Sequence, residues 1–320
     1  MSSSLSVIVN KKSNETDEIA SIELVMQDNS ALPEFTAGSH IDVMLSNGIT
    51  RQYSLYNSPE ERNRYCIGVL RAQNSRGGSI ALHESVKQGD IIKISEPKNF
   101  FKLNESAKHN ILFAGGIGVT PIMSMAERLS FIGASFEIHY CARTKEKMAF
   151  REMLQKKPYF DRVTMYATEE LTGERFDIYR IIKNRTAGTN IYVCGPSGYM
   201  DAIIGAAEEC GWPAEAIHRE FFSAPIQCAN DSSEFTVQIA STGQQFSVCA
   251  HQTIAEVLIK HGVEVKLSCE QGICGTCITP VIDGIPDHRD LYMSEDEHHK
   301  NNAIMVCCSR SLSDKIVLDI

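Results

Sequence analysis

The sequence has no apolar run long enough to cross a bilayer, no internal repeat and no low-complexity tract. A spanning helix needs about 20 apolar residues in succession. The longest nearly apolar stretch, Ile111 to Ala126, is broken by three glycines and a proline. No membrane association is therefore expected, and the missing repeat excludes solenoids and propellers. Basic charge is scarce as well. The 31 Lys and Arg face 40 Asp and Glu, for a formal net charge of -9. The deficit lies mostly at the end, with 6 Lys and Arg against 13 Asp and Glu from Ile226 onward. An acidic final third would be repelled by a phosphate backbone, which excludes nucleic acid as a partner. It suits docking onto a basic protein surface, although a merely solubilising acidic face accounts for the charge equally well. The opening MSSSLSVIVNKK offers only Leu5–Val9 as an apolar run, too short for a secretory signal. The 11 cysteines are an odd number, which argues against a disulfide framework. A reducing cytoplasm is the expected compartment.

What is present changes rhythm along the chain. A length of 320 residues exceeds a single ordinary core, so two or three domains are expected. The first hundred residues carry short strand patterns between turn residues, best at Leu5–Val9, Ile19–Val25, His40–Leu45, Thr50–Tyr56, Tyr65–Leu70 and Asp90–Ser95. These predict an antiparallel barrel. Strands Asn110–Ala114, Phe136–Cys141, Arg162–Ala167 and Asn190–Cys194 then alternate with helical segments Pro121–Leu129, Met148–Gln155 and Tyr199–Cys210. Such alternation predicts an α/β domain with a parallel sheet. APIQCANDSS (224–233) reads as a linker. Strands Phe235–Ala240 and Gln245–Val248 follow, then a helix opened by a capping box at Thr253 and Glu256 and ended by Gly262. That order is compatible with a β-grasp ferredoxin domain. The expected boundaries are 1–102, 103–225, a linker at 226–233, and 234–320.

Three cysteines stand close together at Cys269, Cys274 and Cys277, with Cys307 further on. Their C-x4-C-x2-C spacing is that of plant-type [2Fe–2S] proteins. A short loop can aim three thiolates at two irons only if its backbone curls, and Gly272 and Gly275 permit that. Structural zinc is the competing reading, but it uses paired C-x2-C knuckles and no second knuckle is present. Cys307 and Cys308 are adjacent, and a strand pattern does not choose between them as the fourth ligand.

The segment ILFAGGIGVTP (111–121) reads as strand, glycine turn and helix start. Amides in such a turn can reach a pyrophosphate, although similar turns also serve as packing corners. Cys194-Gly195-Pro196 leaves an apolar strand at the edge where open α/β sheets bind ligands. In the barrel, Arg51, Tyr53 and Ser54 could clamp a phosphate, lie along a flavin ring and bond a flavin nitrogen. Arg76-Gly77-Gly78-Ser79 offers successive amides, a hydroxyl and a guanidinium for a phosphate. Each has a bland counterpart: an ordinary barrel strand and a flexible turn. Glu220-Phe221-Phe222 supplies aromatics that cover a ring or fill a core. Asp287-His288-Arg289-Asp290 and His298-His299 are docking charges or a solvated loop, and the sequence leaves both open.

The order R-x-Y-S, R-G-G-S, G-G-I-G-V-T-P, C-G-P, E-x-F, C-x4-C-x2-C and C resembles the phthalate dioxygenase reductase family, which includes vanillate demethylase and carnitine monooxygenase reductases. The resemblance spans nearly the whole chain. It implies a flavin-binding barrel, a nucleotide-binding domain and a C-terminal ferredoxin domain. It implies FMN, NADH as hydride donor, a [2Fe–2S] cluster and a separate Rieske-type oxygenase that receives single electrons. Carried over by position, Arg51, Tyr53 and Ser54 match the flavin motif, and Arg76, Gly77, Gly78 and Ser79 the FMN phosphate region. Gly116, Gly118, Thr120 and Pro121 match the nucleotide turn, Cys194 lies near the nicotinamide, and Phe222 covers the flavin. Cys269, Cys274, Cys277 and Cys307 match the cluster ligands. Ser54, Cys194 and Phe222 are thereby the residues expected around the hydride step. The rival readings are an FAD-containing reductase serving a hybrid-cluster protein and a ferredoxin-type carrier without its own enzyme activity. The oxygenase substrate, an aromatic acid or a carnitine-like quaternary amine, is not legible.

Overall fold

The computed structural model describes residues 4–45, 49–72, 77–170, 176–183, 186–222 and 234–320. The chain divides into two compact units, Met1–Phe222 and Ser223–Ile320.

The first unit opens with strands β1 (Ser4–Asn14), β2 (Ile19–Met26), β3 (His40–Met44), β4 (Thr50–Ser54) and β5 (Tyr65–Leu70), helix α1 (Gly78–Glu84) and strand β6 (Ile91–Ser95). The strands pair antiparallel in the order β4-β3-β6-β1-β2-β5. A bridge between Leu55 and Ile67 joins the two edges and closes the barrel. Alternation sets the faces: Val7 and Val9 are fully buried while Ser6 and Asn10 are exposed. The expected first strand ended at Val9, but β1 continues through the polar residues Asn10–Asn14. Pairing with β2 carries it past a bulge between Val9 and Lys11, so tertiary pairing overrides weak local propensity.

Strands β7 (His109–Gly115), β8 (Phe136–Ala142), β9 (Val163–Ala167), β10 (Thr189–Cys194) and β11 (Ile217–Glu220) form a parallel sheet in the order β11-β10-β7-β8-β9. Helices α2 (Val119–Phe131), α3 (Arg151–Gln155), α4 (Ile178–Ile182) and α5 (Ser197–Glu209) lie between them in sequence. Leu112 and Ala114 share a core with Ile122 and Met125 of α2. The alternate residues Ile111 and Phe113 share another with Met200 and Ile203 of α5. Both sheet faces are thus covered, as a parallel sheet requires. Each such Leu, Ile, Phe or Met side chain contributes about 1.5–3 kcal/mol on burial. The expected helix from Met148 begins only at Arg151, because Phe150 adopts φ +59° at its N-cap.

The second unit contains β12 (Phe235–Ile239), β13 (Gln245–Val248), α6 (Ile254–Lys260), β14 (Ile278–Asp283), β15 (Pro286–Asp287), α7 (Glu295–Lys300), β16 (Ala303–Met305), β17 (Arg310–Ser311) and β18 (Lys315–Leu318). Its main sheet runs β13-β12-β18-β14-β16, with β12 and β18 parallel and the other pairs antiparallel. The capping box is present: Thr253 Oγ1 accepts from Glu256 N at 3.1 Å, and Glu256 Oε2 accepts from Thr253 N at 2.9 Å. Ile254, Val257 and Leu258 of α6 close the core over this sheet. Among the described residues, no helix is long and apolar enough to cross a membrane.

Candidate active site and iron–sulfur centre

The order of the parallel sheet creates a switch point. From β7 the chain moves to β8 and β9 on one side, then returns to β10 and β11 on the other. Ligands bind outside the carboxyl ends of strands at such a point. The loops after β7 and β10 meet there, backbone against backbone. A Cβ on Gly118 would lie 2.2 Å from the Cys194 carbonyl oxygen and 2.7 Å from Gly195 N. Only glycine allows that approach. Gly116, at φ +55°, has open space where a Cβ would stand. Thr120 and Pro121 are buried in the first turn of α2. The Thr120 hydroxyl donates to the Ile117 carbonyl at 3.0 Å, and a Cβ on Gly68 of β5 would meet the Thr120 methyl at 2.7 Å. Its side chain therefore joins the turn to the barrel.

On the barrel, Ser54 ends β4 and is buried, with Tyr53 partly buried beside it. Burial raises the Tyr53 phenol above its ordinary value, so it stays neutral. The segments holding Arg51 and Gly78 come together: a Cβ on Gly78 would stand 2.6 Å from Arg51 Cγ. Gly77 is the left-handed N-cap of α1, and Ser79 Oγ accepts from Ala72 N at 3.2 Å. The expected phosphate turn is thus the start of a short helix held against the arginine. Arg76 lies outside the described residues, as does the linker at 226–233.

The residue that sequence reasoning passed over is Glu220. It ends β11, directly across from Cys194 of β10 in the parallel register. The Ser54 hydroxyl donates to Glu220 Oε2 at 3.1 Å, tying the barrel to the nucleotide sheet across 166 residues of sequence. Glu220 keeps some exposed surface, but protein atoms enclose its carboxyl, and desolvation pushes its pKa up to about 8. That shift favours the protonated form of the carboxyl. Cys194 is completely buried beside it, and burial holds its thiol well above the ordinary value. A thiol held in that way is not poised as a thiolate nucleophile. Phe222, two residues on, is partly exposed. The E-x-F pattern contains Glu220, but only strand pairing sets its carboxyl against Ser54.

In the second unit the cysteine loop lies between α6 and β14, and Cys307 follows β16. The antiparallel register pairs Ile278 with Met305, which carries Cys277 to the end of β16, where it interacts with Cys307. All four cysteines are buried. Their thiols interact, Cys269 with Cys274 and Cys277 with Cys307, and Cys307 also interacts with the neighbouring Cys308. In each pair one thiol is held down: Cys274 by Cys269, and Cys307 by Cys277. Amides add to this. Gln271 N donates to Cys269 Sγ at 3.3 Å, and the Gly272 backbone supports Cys307. Gly272 and Gly275 both take φ +71°, and a Cβ at Gly275 would strike the Tyr292 ring at 2.5 Å. Buried sulfurs with converging amides suit a cluster held by thiolates. Cys308 differs. Its sulfur packs toward Gly272, 2.6 Å from where a Cβ would stand, and lies 3.7 Å from the Met305 carbonyl. The segment 287–290 is not a set of free docking charges: Asp290 is buried, and Arg289 pairs with Asp287 at 2.6 Å.

Comparison with known proteins accords with this geometry. The 2Fe-2S iron-sulfur cluster binding domain family matches residues 237–312, which include all four cysteines. The N-terminal domain family of dimethylamine monooxygenase subunit DmmA-like proteins matches residues 92–217. Vanillate O-demethylase oxidoreductase of Pseudomonas sp. (strain HR199 / DSM 7063) is 43% identical over 316 residues, covering 99% of this chain and 100% of that protein. The carnitine monooxygenase reductase subunit of Escherichia coli (strain K12) is 36% identical, covering 95% of each. Among solved structures, phthalate dioxygenase reductase superposes with a TM-score of 0.81 at 37% identity, covering 99% of this chain and 98% of that one. It is described as a modular structure for electron transfer from pyridine nucleotides to [2Fe–2S]. With that coverage and identity, and with a cysteine loop and switch point in the same order along the chain, this protein is an oxidoreductase that belongs to the phthalate dioxygenase reductase family.

Proposed function

We propose that the chain is the reductase component of a two-component Rieske non-haem iron oxygenase. It takes hydride from NADH onto FMN and delivers single electrons through a [2Fe–2S] cluster to the oxygenase. The observation that carries this reading is the presence, in one chain, of a switch-point site joined to the barrel by Ser54 and Glu220 and of four buried cysteines, three of them in one loop. A flavin exchanges one or two electrons and the cluster one, so together they divide the pair carried by a hydride.

The chain's own residues have distinct tasks in this scheme. Arg51, Tyr53, Ser54 and the 76–79 segment would hold the flavin, with Arg51 and the start of α1 at its phosphate end. Gly116 would admit the nucleotide and Gly118 would shape its site by letting the Cys194 loop approach, with Cys194 near the nicotinamide and Phe222 over the ring. Ser54 would offer its hydroxyl to the flavin, with Glu220 Oε2, 3.1 Å away, fixing that hydroxyl's orientation. Cys269, Cys274, Cys277 and Cys307 would ligate the irons. NADH over NADPH is supported at Arg143-Thr144-Lys145. Lys145 Nζ is paired with Glu170 at 2.8 Å, and Arg143 lies 3.8 Å from Glu169. Those carboxylates oppose a 2′-phosphate. The three-domain division at 102 and 225, with a linker at 226–233, belongs to the same proposal. So does a cytoplasmic setting, supported by the described cysteines being free thiols. The partner sets the substrate, which would be an aromatic acid such as vanillate or phthalate, or a carnitine-like quaternary amine.

The test is anaerobic mixing of the purified holoprotein with NADH and a Rieske oxygenase. Bleaching of the flavin, then one-electron reduction of the Rieske centre, is expected. Released flavin should have the mass of FMN. Cluster reduction by NADH without any flavin present would sink the scheme.

A further inference from the structure

The second unit holds a set of metal-ligating side chains that the electron path does not use. His288, Asp290 and His298 each offer one ligand atom, and these atoms lie within 4.8 Å of one another. The first two follow β15, and the third comes from α7. The Asp290 side chain is fully buried. Its Oδ2 accepts from Met293 N at 2.9 Å, which orients the carboxylate, and both oxygens lie 3.2 Å from His298 Nε2. The His288 ring stacks on His298, centroids 4.3 Å apart and planes 15° apart.

His288 is the unexplained member. Its side chain is only 9% exposed, and its Nδ1 stands 3.8 Å from Asp290 Oδ1. Neither ring nitrogen makes a hydrogen bond of normal geometry, although Asn301 and the His298 backbone are close by. A buried polar group without a partner is costly and calls for a reason. Two stacked imidazoles would also repel if both were protonated. The neutral imidazole is the form that ligates metals. Calcium and magnesium prefer all-oxygen shells. Two imidazoles and one carboxylate are a donor set for zinc and its first-row neighbours, with a fourth position left to water.

We propose that His288, Asp290 and His298 form a site for one divalent ion of the zinc class, separate from the cluster. The ion would clamp α7 to the segment that walls the cysteine loop. That wall is in direct contact with the loop: Leu291 N donates to the Gly272 carbonyl at 3.0 Å, and a Cβ on Gly272 would lie 3.0 Å from Asp290 Cα. A bound ion therefore braces the backbone that curls around the cluster without contributing a ligand to it.

Equilibrium dialysis of the holoprotein against micromolar zinc, with zinc and iron counted in the same samples, tests this. One zinc per chain is expected, with the cluster iron retained. His298→Gln, on a partly exposed helix position, should weaken zinc binding at least tenfold while the visible spectrum of the cluster is unchanged. Asp290→Asn should do the same, and if it fails to fold, His298→Gln alone decides. Equal zinc uptake by His298→Gln, no uptake by the parent protein, or uptake only as iron leaves would each overturn the proposal. The last result would place the zinc on the cysteines.

Discussion

Ser54 and Glu220 meet across 166 residues of sequence, whereas three of the four cluster cysteines occupy a single turn-rich loop. The proposed nucleotide and flavin site is assembled from the ends of β4, β7, β10 and β11, each set by sheet order. The cysteine site is assembled by backbone curvature at Gly272 and Gly275, with one strand pair adding Cys307. The comparison teaches how each site should fail. A site made of converging thiols has no substitute for any one of them, because a cluster needs its full ligand set. A site made of many weak contacts loses function by degrees, one hydrogen bond or one close approach at a time.

The sharpest way to break that contrast is Cys277→Ser. Iron and acid-labile sulfide should fall to baseline and reduction of one-electron acceptors should cease, while NADH still bleaches the flavin. Cys308→Ser should keep its iron, since its sulfur packs toward Gly272. If the two variants lose iron equally, the choice of fourth ligand is wrong. Next in size is Gly118→Ala. Its Cβ would stand 2.2 Å from the Cys194 carbonyl, and forcing the two loops apart should cost about 1–3 kcal/mol in thermal stability. It should raise KM for NADH about tenfold, equivalent to ~1.4 kcal/mol. An unchanged KM would mean that the junction does not shape the nucleotide site.

Ser54→Ala should slow flavin reduction about tenfold, the worth of one well-placed hydrogen bond. Stopped-flow absorbance would read it, and the cluster's EPR signal should not move. A separate effect, read only as a slope against pH, concerns Glu220. Its carboxyl titrates near 4.5 when unfolded and is raised to about 8 when folded. Between those values the folded chain binds the extra proton, so stability is greatest below the lower pKa and declines as pH rises toward 8. Glu220→Gln should flatten that slope in melting curves taken from acid to mildly alkaline pH. Identical slopes in parent and variant would show that burial of this carboxyl is not the cause.

Much of this was legible before the structure, and what was not has physical reasons. The cysteine spacing, the capping box at Thr253 and the glycine turn after β7 are local patterns, readable because backbone turns and helix ends depend on near neighbours. Helices α4 and α7 escaped notice because five or six residues are too few to display a helical period. The continuation of β1 through polar residues escaped because its partner strand supplies the reason. The roles of Thr120 and Ser79 also look different in three dimensions: one joins the turn to the barrel, the other ties α1 to the end of the preceding strand segment.

By itself the sequence determined which chemistry the chain could hold: thiols at cluster spacing, a glycine turn for a pyrophosphate and the order of three structural modules. Spacing of that kind is enforced by covalent geometry over a few residues. Tertiary structure alone decided that Glu220 faces Ser54 with its carboxyl pKa raised, that the Cys194 thiol is buried, and that two histidines and an aspartate gather behind the cysteine loop. Those outcomes follow from desolvation and from contacts between distant strands, and neither exists until the chain has folded.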